Sequence, residues 1–247
     1  MNRVYMFDVD GTLTNSRCRM TKPFERFFIE WAKKNTFYLV TGSDMNKLME
    51  QVSQDILDYC EGIFVCAGNE FWEFDPHIVN FPFNQVYRNN FKPPETLLTY
   101  LGEQLRFSDY HHRAGNHIEN RGSMVNFSIV GRNCSKTERQ NYFDYDVESG
   151  ERETISEYIR NTWKDLDASI GGQISIDIYP KGFDKSQILE HIMKRDKADE
   201  YIFIGDKMRE GGNDYPLAQL MYETKNCSAC QTMNPNTTQQ LLEAIND

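Results

Sequence analysis

No stretch of this 247-residue chain comes near the roughly 20 consecutive apolar residues that a bilayer-spanning helix needs. Only VYMF precedes the first carboxylates, too short for the apolar part of a secretory signal, so none is expected. Basic residues are in deficit. With 27 Lys and Arg against 37 Asp and Glu, the formal charge of -10 argues against nucleic acid or an anionic membrane as partner. A small anionic substrate stays open, because a local basic pocket can exist in an acidic protein. The six cysteines (Cys18, Cys60, Cys66, Cys134, Cys227, Cys230) are scattered and spell no secreted disulfide framework. Cys227 and Cys230 have CxxC spacing, but no second CxxC or HxxxH supplies the other two ligands of a zinc site. His111, His112 and His117, in HHRAGNHIENR, likewise form no clean metal pattern. Repeats and low-complexity tracts are missing too. What remains is an ordinary globular composition, 39% hydrophobic and 26% charged, expected for a cytoplasmic protein with reduced thiols.

Short apolar runs at 3–7, 37–41, 62–66 and 200–206 predict buried strands, each ending near Gly, Asp, Ser or Thr. Between the first two, KPFERFFIEWAKKN repeats its apolar residues every three and four positions, as an amphipathic helix does. A second helix is expected over MNKLMEQVSQDIL, with Ser43 or Asp44 as its N-cap. Strand alternating with helix is the pattern of a parallel sheet covered by helices. Ligands of such sheets sit beyond the carboxyl ends of the strands. Asp8 and Asp10, Thr41 to Asp44, and Gly205-Asp206 all fall at such ends, so three distant polar loops should converge.

From about residue 80 to 183 the pattern changes. Val125, Phe127 and Ile129 alternate with Asn126 and Ser128, and Ile174, Ile176 and Ile178 alternate with Ser175, Asp177 and Tyr179. Such alternation marks sheets with one apolar and one polar face, usually antiparallel. Helices are expected at 93–105 and 151–166, and the first fold resumes with a helix over KSQILEHIMKR. The expected organisation is an α/β core, residues 1–79 and 184–247, interrupted by an α+β insert over 80–183.

FDVDGTLT is where chemistry is most specific. A carboxylate at a strand end can act as nucleophile and form an aspartyl-phosphate. A second carboxylate two residues on can face the same cavity and serve as general acid and base. Gly11 permits the tight turn, and Thr12 with nearby backbone N–H groups suits phosphate oxygens. Two carboxylates this close ask for a cation, and Mg²⁺ with oxygen ligands fits best.

FDVDGTLT resembles the first motif of the haloacid dehalogenase superfamily of phosphotransferases, and three later stretches resemble its other motifs in order. TGSD at 41–44 matches the strand-end residues that bind the transferring phosphoryl group, with Ser43 among them. Lys185 matches the lysine that neutralises phosphate and nucleophile, and GDKMREGGND at 205–214 matches the acidic metal-binding loop. With ENRGSMVNFSIVGR and SIGGQISIDIYPKGFDK added, the chain is similar to the eukaryotic-type phosphomannomutases over nearly its whole length.

That resemblance implies a haloacid-dehalogenase-like, Rossmann-like parallel-sheet core with an inserted α+β cap domain, and sugar phosphate bound between the two. It implies Asp8 as nucleophile, Asp10 as acid/base and Arg17 as a substrate contact. It implies Arg121, Arg132 and Arg139 as phosphate ligands, at the family's spacing of eleven and seven residues. Ser175 and Asp177 match the pair that binds sugar hydroxyls, and Mg²⁺ would sit on Asp8, the backbone carbonyl of Asp10, and Asp206. A hexose 1,6-bisphosphate activator, a homodimer through the cap and a role feeding GDP-mannose synthesis come with the family. YPLAQLMYET offers Ala218 and Leu220 where ligands of a second, structural cation would be sought, so no such site is expected.

The activity implied is conversion of mannose 6-phosphate to mannose 1-phosphate. A mutase needs a clamp for the distal phosphate and exclusion of water, and the three arginines could supply both. A sugar-phosphate phosphatase of the same superfamily, or a non-catalytic sugar-phosphate-binding protein, are the other readings.

Overall fold

The structure is a computed structural model that describes residues 2–78 and 81–246. Its chain divides into two units, Met1–Arg88 with Asp184–Asp247, and Asn89–Phe183. The boundary expected at 79/80 lies outside the described residues. The division falls later because a strand not foreseen, β5 (Phe83–Arg88), pairs antiparallel with β4 (Glu70–Phe74) in the first unit's sheet.

That sheet also contains β1 (Arg3–Phe7), β2 (Thr36–Val40), β3 (Gly62–Val65), β10 (Glu200–Gly205) and β11 (Cys227–Gln231), in the order β11-β10-β1-β2-β3-β4-β5. The five strands from β11 to β3 run parallel. After Arg3, β1 is apolar because both faces are covered. Tyr5 and Phe7 meet Trp31 and Phe28 of α1 (Lys22–Ala32), with ring centroids 4.9 to 5.3 Å apart. Val4 and Met6 instead join a core with Ile188, Leu189 and Ile192 of α7 (Gln187–Arg195) and Leu217 and Met221 of α8 (Tyr215–Glu223). A last helix, α9 (Pro235–Asn246), follows β11.

The second helix is not continuous. α2 (Met45–Gln51) starts at Asp44, whose side chain accepts from the Lys47 N–H at 2.9 Å, and a short α3 (Gln54–Leu57) follows an extended Val52-Ser53. The break leaves Gln51 at the end of α2, buried beneath the loop after β1, where its carbonyl accepts from the Met20 N–H.

The second unit is an antiparallel sheet, β6 (Ile118–Asn120), β7 (Val125–Phe127), β9 (Ser175–Pro180) and β8 (Leu166–Gly171), in that order. Its apolar face, with Val125, Phe127, Ile176 and Ile178, packs with Leu97 and Leu101 of α4 (Glu95–Phe107), Tyr142 of α5 (Lys136–Ser149), and Ile155 and Ile159 of α6 (Glu151–Thr162). The other face carries Asn126, Ser169, Ser175 and Asp177. It is polar as expected but not wet, since all four are buried. β7 ends at Phe127, so the expected alternation through Ile129 stops as the chain turns toward Arg132. α6 also ends at Thr162 rather than 166, because β8 begins at Leu166.

Candidate active site

β10, β1 and β2 are neighbours in the sheet, so parallel pairing brings Asp206, Asp8 and the Thr41–Asp44 loop to one edge. β1 ends as Asp8 donates its backbone N–H to the Ile204 carbonyl at 2.9 Å, which anchors the first carboxylate beside β10. The chain then turns through Gly11, at φ +94, in the left-handed region that glycine adopts without strain. A side chain there would also strike Asp206: a Cβ on Gly11 would lie 2.3 Å from Asp206 Oδ2. Gly11 therefore serves the turn and the close approach of the acidic loop together.

The centre of the site is an ammonium. Lys185 Nζ, in a side chain that is 0% exposed, donates to Asp8 Oδ1 and to Asp214 Oδ1 at 2.6 Å each. The other oxygen of Asp214 accepts the backbone N–H groups of Asp206 and Lys207 at 3.1 and 3.0 Å. Asp214 thus fastens the β10 loop to the lysine. It opens α8 at the end of the stretch matched to the acidic metal-binding loop, and no local pattern revealed its partner twenty-nine residues upstream. Thr12 Oγ1 donates to the remaining Asp8 oxygen at 3.2 Å.

Asp8, Asp206 and Asp214 come within 4.8 Å of one another, and one lysine does not neutralise three carboxylates. The electrostatics follow. Burial, with Asp214 and Asp206 close by, holds the Asp8 carboxyl well above the usual range despite the opposing pull of Lys185. Burial and Asp214 push Asp206 up to about 7. Lys185 goes the other way: burial disfavours its charge, but Asp214 and Asp8 outweigh that and raise its pKa. An all-oxygen donor set with surplus negative charge suits a hard divalent cation such as Mg²⁺. Both oxygens of Asp214 accept from N–H donors, whereas Asp8 Oδ2 accepts only the Thr12 hydroxyl at 3.2 Å among the described residues, so Asp8 and Asp206 are the carboxylates better placed for the ion.

Asp10 stands apart from this trio. Its Oδ1 accepts from the Arg17 N–H at 2.8 Å and from Gln51 Nε2 at 2.9 Å, while Ser43 Oγ lies 3.4 Å from Oδ2. Arg17 itself has φ 55, a conformation rare for a residue with a Cβ. Ser43 also donates its N–H to Thr41 Oγ1, which shapes the loop after β2.

In the second unit the charges are reversed. Arg121 lies at the end of β6 and forms a fork on Glu119 Oε2, with Nε at 2.9 Å and a terminal nitrogen at 2.6 Å. Arg132 Nε approaches the same oxygen at 3.8 Å, and its NH1 donates to Ser175 Oγ at 2.9 Å. Asp177 Oδ1 accepts from Asn126 Nδ2 at 2.6 Å, across the β7–β9 pair. Arg139 is buried on α5 with Cys134 Sγ 3.9 Å away. Behind Ser175, Arg152 is buried on Asp146 at 2.8 Å and reaches the Gly172 and Ser175 carbonyls. Two histidines of the insert are tied elsewhere, His112 to Glu138 at 2.8 Å and His117 Nδ1 to the Ser128 carbonyl at 2.9 Å. Glu119, Asn126 and Gln51 were not singled out as site residues from the sequence. The alternation around Asn126 was the one visible signal.

Comparison with known proteins is consistent with this geometry. Residues 24–247 match the family model described as eukaryotic phosphomannomutase. A phosphomannomutase of Encephalitozoon cuniculi is 36% identical over 244 residues, spanning 95% of this chain and 90% of its own length. One from Drosophila melanogaster is 34% identical, with 97% and 94% covered. A haloacid dehalogenase-like hydrolase from Bacteroides thetaiotaomicron superposes with a TM-score of 0.60 at 14% identity, over 99% of this chain and 100% of that one. At that identity the last likeness concerns the fold alone, a haloacid-dehalogenase-like core with an added α+β unit.

Proposed function

From the membership of this chain in the eukaryotic phosphomannomutase family, we propose that it interconverts mannose 6-phosphate and mannose 1-phosphate through a phosphoryl group carried on Asp8. The observation that carries the reading is the fully buried Lys185, bound at 2.6 Å to both Asp8 and Asp214. A lysine held there orients the nucleophile, and its charge offsets that of an incoming phosphate.

In the first half-reaction an Asp8 oxygen bonds to phosphorus of a hexose 1,6-bisphosphate activator or of phosphorylated substrate. The phosphorus–oxygen bond to the sugar breaks, and Asp10 gives its proton to the departing sugar oxygen. In the second half the same carboxylate takes a proton from the free hydroxyl of a bound hexose monophosphate, which attacks the aspartyl-phosphate, so that the bond from phosphorus to Asp8 breaks and a bisphosphate forms. Asp8, the Asp10 carbonyl and Asp206 would hold Mg²⁺, which would supply charge stabilisation at the transferring group. Ser43 and Thr12 donate to its oxygens, and Arg17 contacts the substrate.

The second unit serves as the substrate-binding cap. Arg121 and Arg132, with Arg139, hold the phosphate not undergoing chemistry, and Ser175 and Asp177 take sugar hydroxyls. Glu119 keeps two of those guanidinium groups oriented. A homodimer through the cap and a cytoplasmic location belong to the same reading. The cysteines are free, and among the described residues no helix is long and apolar enough to cross a membrane.

The test is product partition. Mannose 1-phosphate with Mg²⁺ and a trace of glucose 1,6-bisphosphate should yield mannose 6-phosphate with little free phosphate. Stoichiometric free phosphate would identify a phosphatase, and binding without turnover would identify a sensor.

A further inference from the structure

Gln51 closes α2 and is 1% exposed. Its Nε2 donates to Asp10 Oδ1 at 2.9 Å and to Thr14 Oγ1 at 3.1 Å, which uses both hydrogens of the amide. Its Oε1 is buried and has no hydrogen-bond partner among the described residues. A buried, unsatisfied carbonyl is unfavourable, and a residue needed only to fill this volume would be apolar. Turning the amide over would set Oε1 against Asp10 Oδ1, acceptor to acceptor. The orientation seen is therefore the one that the carboxylate demands.

The backbone of Gln51 is committed to the same loop, since its carbonyl accepts the Met20 N–H at 2.9 Å. From the other side the Arg17 N–H reaches the same Asp10 oxygen at 2.8 Å. Oδ1 is thus gripped by two donors from different segments, while Oδ2 has, among the described residues, only the distant Ser43 hydroxyl at 3.4 Å. Fixing one oxygen in this way sets the plane of the carboxylate and leaves the other to carry a proton.

We infer that Gln51 is a positioning residue, which aims Asp10 so that Oδ2 faces the sugar oxygen being protonated or deprotonated. The inference rests on the reading of Asp10 as the acid/base group.

The test separates positioning from mere structure by the leaving group. A departing sugar oxygen needs a proton, whereas p-nitrophenolate leaves without one. In single turnovers with enzyme in excess and Mg²⁺ present, phosphorylation of Asp8 is timed with glucose 1,6-bisphosphate and with p-nitrophenyl phosphate. Gln51→Met, close in shape, should lower the ratio of the sugar rate to the aryl rate by about 30-fold, within the range that acid–base catalysis spans. Asp10→Asn, run in parallel, should lower it further.

A ratio unchanged in Gln51→Met but lowered in Asp10→Asn would overturn the inference and leave the role of Asp10 standing. A ratio unchanged in both would overturn that role, and the inference with it. If thermal unfolding shows Gln51→Met to be misfolded, Gln51→Glu keeps the size and polarity but removes the donor. Its ratio should fall as well, and an unchanged ratio there would equally overturn the inference.

Discussion

The two units build their sites from opposite charges by one device. In the first, a single ammonium, Lys185, is shared by two carboxylates, Asp8 and Asp214. In the second, a single carboxylate, Glu119, is shared by two guanidinium groups, Arg121 and Arg132. Each arrangement leaves a surplus, negative beside Asp8 and positive beside Ser175. A negative surplus calls for a cation, and a positive one for an anion such as phosphate. Under the proposed function the difference separates two roles: one unit would prepare a metal-assisted transfer, and the other would hold a charged group that does not react.

Removing the centre of each cluster should break the comparison at different strengths. Asp8→Asn takes away the nucleophile and should lower turnover by about four orders of magnitude or more, with Lys185 still held by Asp214 and the fold intact. Retained turnover in a steady-state assay would refute the nucleophile. Lys185→Met strands two buried carboxylates and should cost about 3 to 5 kcal/mol of stability as well as activity, read by denaturant unfolding. Removing Mg²⁺ with a chelator should stop phosphoryl transfer while sugar phosphate still binds to the second unit, a split that calorimetry can follow. Arg132→Ala should reduce mutase activity by about 10- to 100-fold while sparing hydrolysis of a small phosphate ester, because Arg132 sits with Ser175 and Glu119 in the second unit, which holds none of the residues assigned to the chemistry. Arg139→Ala should act in the same direction, and equal losses in both assays would make that residue structural. Glu119→Gln is the mildest. The arginines keep their charge and lose only their brace, so KM should rise a few-fold with kcat little changed.

How much of this was legible beforehand follows the same division. Asp8, Asp10, Thr41–Asp44 and Asp206 were readable because each sits where an apolar strand stops, and parallel neighbours bring such ends together. The polar row of Ser175 and Asp177 was readable from period-two alternation. Bonds between distant segments were not. Lys185 to Asp214, Gln51 to Asp10 and Glu119 to Arg132 depend on tertiary contact that no local spacing encodes. Missed elements have local reasons. α5 is polar on nearly every side, and its one clear signal was the Ser135–Glu138 capping box, which the structure forms reciprocally. β11 reads CSACQ, hardly apolar, and is a strand because β10 pairs with it. The helix foreseen after Asp44 broke at Val52-Ser53, where α2 gives way so that Gln51 can reach the loop after β1.

The most direct measurement traps the phosphoryl group. Enzyme mixed with Mg²⁺ and glucose 1,6-bisphosphate is quenched in acid and its peptides are mapped by mass spectrometry. Phosphate is expected on the peptide that carries Asp8 and none there in Asp8→Asn. Phosphate on any other side chain, or full turnover with Asp8 never phosphorylated, would contradict Asp8 as the nucleophile.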